Sequence, residues 1–122
     1  VAIEGDSAFG FAGMEVEVAC RYNLPITFIV VNNNGIYRGI DKLPTDGQPI
    51  PSTAFIPNAR YEKVMEAFGG VGYYVTDPRE LKAALEATIS GPEKDKPSLI
   101  NIMITPEGPI PKIVQKEQKN EK

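Results

Sequence analysis

The sequence predicts an α/β fold, an open and mostly parallel sheet with helices on both faces. Three observations predict it. Ile26 to Val31 is a continuous β-branched and aromatic run, the pattern of a strand covered on both sides, and Ser98 to Ile104 reads as another buried strand. Other segments repeat apolar residues at helical spacing. The two kinds alternate as β-α-β-loop-α-β-α-β, the order that parallel strands with crossover helices require.

Val1-Ala2-Ile3 reads as the end of a buried strand with nothing before it and no initiator Met. The chain is therefore expected to be a C-terminal fragment, cut inside a strand and incomplete at its N-terminus. A helix is predicted from about Phe11 to Tyr22, with Phe11, Met14, Val18 and Tyr22 on one face and Met14 in the core. Cys20 faces away from that stripe as a small packed residue. Asn23-Leu24-Pro25 ends the helix, because Pro25 lacks an N–H and restrains Leu24. The strand from Ile26 to Val31 follows.

Arg38 to Pro57 has no periodicity and contains Pro44, Pro49, Pro51 and Pro57. Such a long connection is usually functional or mobile. Asn58 is expected to cap a helix with the face Tyr61, Val64, Met65 and Phe68, stopped by Gly69-Gly70. Gly72 to Val75 is a short strand. Asp77-Pro78-Arg79-Glu80 is a helix start with Asp at N-cap, Pro at N1 and Glu at N3. Leu81, Ala84, Leu85 and Ile89 form that helix's face, and Ser90-Gly91-Pro92 ends it. The last strand is Ser98 to Ile104. Residues 1–104 are expected to be the folded domain and residues 105–122 a polar, disordered tail.

The 122 residues suffice for one domain, and 42% apolar with 24% charged residues is ordinary for a globular one. The net charge of −3 provides no basic face for nucleic acid. A single cysteine, Cys20, excludes a disulfide framework. Without histidine, acid–base chemistry falls to carboxylates, Lys or Tyr, or to groups outside the chain. No apolar run approaches the ~20 residues that span a bilayer, and no signal-peptide pattern is present, so no membrane partner is expected. The expected location is cytoplasmic, the last residues, Asn120-Glu121-Lys122, not being a peroxisomal Ser-Lys-Leu signal.

Two stretches carry the chemistry. Glu4-Gly5-Asp6-Ser7-Ala8-Phe9-Gly10 follows the first strand, and Asn32-Asn33-Asn34-Gly35-Ile36-Tyr37 follows the second. In a parallel βαβ unit both stretches lie at the same edge of the sheet, where ligands of such sheets bind. Magnesium takes oxygen ligands in an octahedron, one or two of them carboxylates. Asp6 offers a carboxylate, Asn33 a carboxamide oxygen, and the Gly35 backbone carbonyl is a third candidate. The N–H groups around Ser7 to Gly10, at the start of the helix, favour a phosphate. Taken singly, each stretch is more often an ordinary strand-to-loop turn. Together, at the matching ends of one βαβ unit, they point to a metal and diphosphate clamp.

Gly5-Asp6 followed after about 26 residues by Asn33 resembles the cofactor motif of thiamine-diphosphate enzymes. Gly5 to Glu17, Cys20 to Pro25, Asn32 to Gly39, Glu66 to Gly70 and Lys96 to Ile104 are similar to the branch containing 2-hydroxyacyl-CoA lyase and oxalyl-CoA decarboxylase. The resemblance implies thiamine diphosphate and Mg2+ as cofactors, with Asp6, Asn33 and the Gly35 carbonyl on the metal and Ser7, Ala8 and Ile36 on the cofactor. Tyr37 is grouped with the cofactor residues at the mouth of the site, a core or surface tyrosine being the alternative. The resemblance also implies an acyl-CoA substrate and a homodimer or tetramer. An upstream domain of the partner subunit would supply the glutamate that activates the cofactor, so the chain alone is expected to turn over no substrate. Thr105-Pro106-Glu107-Gly108-Pro109 departs from the family's lid segment, so no lid residue is carried over. Ser7 stands where many members have Gly.

The leading expectation is a lyase releasing an aldehyde and formyl-CoA, with oxalyl-CoA decarboxylase as runner-up. A non-catalytic cofactor-binding or assembly domain and a plain α/β module without ligand are the readings of another class. Glu15 lies within the predicted apolar face. It is expected either buried and hydrogen-bonded near the cofactor loop or projecting at the edge of that face.

Overall fold

The computed structural model describes residues 1–106, so the expected tail beyond Pro106 lies outside the described residues. The four strands are β1 (Ala2–Gly5), β2 (Thr27–Asn32), β3 (Val71–Val75) and β4 (Ser98–Met103). They form one sheet in the order β1-β2-β4-β3, with every pairing parallel. The helices are α1 (Asp6–Ala12), α2 (Val16–Arg21), α3 (Glu62–Ala67) and α4 (Pro78–Ile89).

The period-2 alternation of strand side chains divides the core into two layers. Val30 and Leu99 face one side and meet Phe9, Val16 and Met65 from α1, α2 and α3. Ile29 and Ile100 face the other side and meet Ala84 of α4 and Val75 of β3. Helices thus cover both faces, as the apolar runs of β2 and β4 require. α4 begins as expected: the Asp77 carboxylate accepts the Arg79 N–H, and Glu80 accepts the Asp77 N–H in return. α3 ends as expected, with Gly69 at φ 87° and the N–H groups of Gly69 and Gly70 closing on the carbonyls of Glu66 and Met65.

The first helical segment departs from expectation. It begins at Asp6, directly off β1, and is broken by a 3₁₀ turn at Gly13–Glu15. Ala12, at φ −141° and ψ 23°, leaves helical geometry at the break. A wheel drawn with one continuous 3.6-residue period loses its phase there. The residues that reach the core are Phe9, Val16 and Ala19, while Phe11, Met14 and Tyr22 are exposed. Glu15 is also exposed and makes no side-chain hydrogen bond among the described residues, so of its two expected placements burial near the cofactor loop is incorrect and projection outward agrees. Cys20 packs against the core rather than away from it, its Sγ 3.4 Å from Met65 Sδ. At the far end of α4, Ile89 is half exposed.

Asn58 does not cap α3. The N-cap position is Tyr61, which makes no side-chain cap, and Asn58 stands at φ 58° with its N–H turned to Asn34 Oδ1 at 2.7 Å. The long connection before it holds no regular element, but its far end returns. Ala54 bridges Gly35 in antiparallel fashion, and the Phe55 N–H donates to the Asn34 carbonyl at 2.9 Å.

Met14 and Met65, both core residues by spacing, separate the two accounts of this region. Met65→Ala is expected to cost about 2–5 kcal/mol of unfolding free energy, whereas Met14→Ala should stay within about 0.5 kcal/mol. Urea midpoints of the two variants check this.

Candidate cofactor and metal site

The site is built by register. Gly5 pairs with Val31, so Asp6 and the residues after Asn32 leave the sheet side by side at its carboxyl edge. Asp6 opens α1 and is 2% exposed. Its Oδ1 accepts the Ser7 N–H at 2.9 Å and its Oδ2 accepts the Gly35 N–H at 2.9 Å, which ties the start of α1 to the loop after β2. Among the described residues no Lys or Arg pairs with it. Burial pushes its carboxyl above the ordinary 3.8, against the pull of the backbone N–H groups of Gly35 and Ser7. Burial likewise raises the Tyr61 hydroxyl, with the Asp6 charge adding to the effect.

The loop after β2 is held just as closely. Asn33 Nδ2 donates to the Tyr37 carbonyl at 2.8 Å, and the Ile40 N–H donates to the Asn33 carbonyl at 3.0 Å. Gly39 makes this closure possible. It sits at φ 69°, and a Cβ there would stand 1.8 Å from the Asn33 carbonyl oxygen. Gly35 is equally confined, since a Cβ would stand 2.4 Å from the Thr53 carbonyl oxygen, to which the Ile36 N–H donates at 2.9 Å.

Beside these residues lies a cleft of about 390 Å³, lined by Ser7, Gly10, Phe11, Ile36 and Phe55. Its size suits a small-molecule ligand. Of the expected cofactor residues, Ser7 and Ile36 line it. Ala8 is exposed and is not part of its wall, and Tyr37 is 90% exposed, serving the loop through its backbone carbonyl. Phe11, assigned to the core by spacing, is instead a cleft wall and 93% exposed. Phe55 carries no sequence signal, because it reaches the cleft only through the return of the long connection. α1 has seven residues, and Asp6 already occupies its Ser7 N–H, so the helix start offers less to an anion than a continuous helix would.

The donor set fits a divalent cation of the magnesium type. Among the described residues no group of three or more His, Cys, Asp or Glu could hold a metal. What this edge offers is a set of mixed oxygen donors, a type that magnesium accepts. Asp6 is a buried carboxylate without a cationic partner. Asn33 has its amide nitrogen engaged by Tyr37, and no described group donates to its Oδ1. Gly35 directs its N–H to Asp6, leaving its carbonyl as the third oxygen.

Asp6's raised pKa gives the metal-free protein a defined pH response. The stability Asp6 contributes is complete below the unfolded value and is lost as pH rises through the folded value. The stability of the wild type relative to Asp6→Asn should therefore fall as pH climbs upward from about 3.9, read by urea unfolding at a series of pH values. Gly39→Ala is expected to destabilise by about 1–3 kcal/mol, because Asn33 must move. A thermal unfolding comparison checks it.

The family described as "Thiamine pyrophosphate enzyme, C-terminal TPP binding domain" matches residues 1–102. Human 2-hydroxyacyl-CoA lyase 1 is 51% identical over 115 residues, covering 88% of this chain and 20% of that protein. Oxalyl-CoA decarboxylase of Escherichia coli K12 is 54% identical over 107 residues, covering 87% of this chain and 18% of that protein. The chain thus spans about one fifth of the length of these curated relatives. A solved thiamine diphosphate-dependent 4-hydroxybenzoylformate decarboxylase from Rhodococcus jostii RHA1 superposes with a TM-score of 0.61 at 16% identity, over 84% of this chain and 19% of that one, a likeness of fold alone. By this match over residues 1–102, the chain belongs to the family of C-terminal thiamine-pyrophosphate-binding domains.

Proposed function

We propose that this domain, residues 1–104, is the diphosphate- and magnesium-binding part of a thiamine-diphosphate-dependent carbon–carbon lyase. Its substrate on this reading is a 2-hydroxyacyl-CoA, cleaved to an aldehyde and formyl-CoA. The observation that carries the reading is Asp6, a buried carboxylate with no cationic partner among the described residues, tied to Gly35 in a chain of this family. Thiamine diphosphate, when bound, supplies the electron sink for breaking a carbon–carbon bond.

The chain's own residues bind and orient. Asp6, Asn33 Oδ1 and the Gly35 carbonyl hold the magnesium, Ser7 adds a hydroxyl toward the diphosphate, and Ile36 packs on the cofactor. Phe11 and Tyr37 stand exposed beside the cleft. On this reading they are covered in a homo-oligomer, whose other parts complete a site that excludes water. The named relatives act on acyl-CoA thioesters, which supports an acyl-CoA substrate here. The second reading, an oxalyl-CoA decarboxylase, is favoured by the 54% identity to the bacterial enzyme, against 51% for the human lyase. The longer alignment with the lyase, 115 residues against 107, leans the other way.

The test offers each thioester separately to the full-length polypeptide with thiamine diphosphate and magnesium. Aldehyde plus formyl-CoA from a 2-hydroxyacyl-CoA is the expected outcome. Carbon dioxide plus formyl-CoA from oxalyl-CoA alone makes it the decarboxylase, and no product from either overturns both readings. Asp6→Ala should raise the magnesium requirement beyond the roughly 10–100-fold typical of outer-sphere losses.

A further inference from the structure

Asn101 lies inside β4, in a run that otherwise reads as an apolar strand, and is fully buried. It shares the face of Val30 and Leu99, where an apolar side chain would pack. Glu62, in the first turn of α3, is 1% exposed, a carboxylate inside the same layer. Neither position is explained by packing. Both become intelligible from what they touch.

Asn101 Nδ2 donates to Glu62 Oε2 at 2.9 Å and to the Ala59 carbonyl at 2.8 Å. Asn32, also fully buried, donates through Nδ2 to Asn101 Oδ1 and to the same Ala59 carbonyl, each at 3.2 Å. Asn32 Oδ1 in turn accepts the Asn34 N–H at 3.0 Å. Arg60 Nε donates to the other oxygen of Glu62 and is held with its guanidinium 4.0 Å over the Tyr74 ring. Among the described residues no buried side-chain nitrogen or oxygen is left without a partner. The chain of bonds thus runs from Arg60 through Glu62, Asn101 and Asn32 to the backbone of Asn34. It ends on the two neighbours of Asn33 and one residue short of Gly35.

A polar network of this kind is no efficient way to stabilise a core, since apolar side chains of the same volume often do better. What it does supply is a fixed arrangement, because every member has one geometry that satisfies all its partners. We propose that Glu62 and Asn101 are positioning residues for the metal ligands: through Asn32 they set the backbone on both sides of Asn33 and so fix where the Asn33 and Gly35 oxygens stand. The inference rests on the reading of Asp6, Asn33 and Gly35 as ligands of a diphosphate-bound magnesium.

The sheet provides its own control. Ser98 Oγ and Thr27 Oγ1 form another buried polar pair between the same two strands, 3.1 Å apart, at their amino ends and away from the loop. Removing it costs a buried hydrogen bond without touching the relay.

The test uses the full-length protein and titrates magnesium at fixed thiamine diphosphate, reading cofactor binding calorimetrically. The electron paramagnetic resonance spectrum of bound Mn2+ reports ligand geometry independently of turnover. Asn101→Leu and Glu62→Ala are expected to weaken metal binding roughly 10–100-fold and to alter the Mn2+ spectrum. Glu62→Gln, which can keep its one oxygen on Asn101 while losing the bond from the half-exposed Arg60, should recover most of the binding lost in Glu62→Ala, and Ser98→Ala should leave it unchanged. Should Asn101→Leu fail to fold, the Glu62→Ala and Glu62→Gln pair decides alone. Wild-type metal affinity in Glu62→Ala, or an equal loss in Ser98→Ala, overturns the positioning role. A wild-type protein that binds no thiamine diphosphate in the presence of magnesium overturns instead the underlying reading of the site.

Discussion

A carboxylate is held almost out of reach of water at the carboxyl edge of the sheet, and the geometry of the whole edge depends on it. Asp6 accepts one N–H from its own helix and one from the loop after the neighbouring strand. Hydrogen bonds to a charged group contribute about 1.5–3 kcal/mol each, while removing an ion from water costs several kcal/mol even after relaxation. The two act in opposite directions on the Asp6 carboxyl, which burial pushes above its ordinary value. On the proposed reading a bound divalent cation would offset that burial cost, at the residue that fastens the two segments together.

The parallel register converts sequence separation into proximity. Because Gly5 lies beside Val31, the residue after each strand enters the same small volume, and no side chain has to reach across the fold. β4 lies on the other flank of β2 and brings Asn101 level with Val30, one turn of the pleat below Asn32. The layer under α1, α2 and α3 is therefore apolar at its centre, around Met65 and Leu99, and polar at its carboxyl end. The layer under α4 has a wholly apolar buried centre in Ile29, Val75, Ala84 and Ile100. That layer keeps its buried polar pair, Ser98 and Thr27, at the amino ends of the strands, whereas the first layer places its polar groups at the carboxyl end, beside the loop.

Much of this was legible in the sequence wherever the signal is local. Asp77-Pro78-Arg79-Glu80 states a capping box in four consecutive residues, and the box forms. The β-branched runs of β2 and β4 admit only covered strands, and Gly69 marks the end of α3 by chirality. That Asp6 and the loop from Asn33 to Gly35 meet at one edge was legible because a parallel βαβ unit brings the ends of its strands together, but the Gly35 N–H bond to Asp6 was not. The failures have one cause, which is that the deciding contact is not local. The break at Gly13–Glu15 shifts the helical phase, so Phe11 and Met14 turn outward although their spacing is helical. Asn58 has the chemistry of a cap but serves Asn34, and Phe55 lines the cleft only because the connection doubles back. Asn101 and Glu62 look like isolated polar residues until the sheet brings them together.

The loop itself is costly to form. Asn34 and Tyr37 both adopt positive φ, at 64° and 58°, and side chains there cost about 1–3 kcal/mol each. Asn tolerates this conformation comparatively well, but Tyr37 has no such excuse, and its ring lies exposed without packing to offset the strain. The compensation comes from the backbone. Tyr37's carbonyl accepts from Asn33, and Asn34 is bonded through its N–H, its carbonyl and both ends of its side chain. Relaxing the loop would break several of these bonds together and leave buried polar atoms unpaired. The strain persists because the surroundings over-determine it, and on the proposed reading the oxygens of Asn33 and Gly35 would be set in place before a ligand binds. A loop free to relax would have to be ordered at the moment of binding, and the affinity would fall by the cost of that ordering.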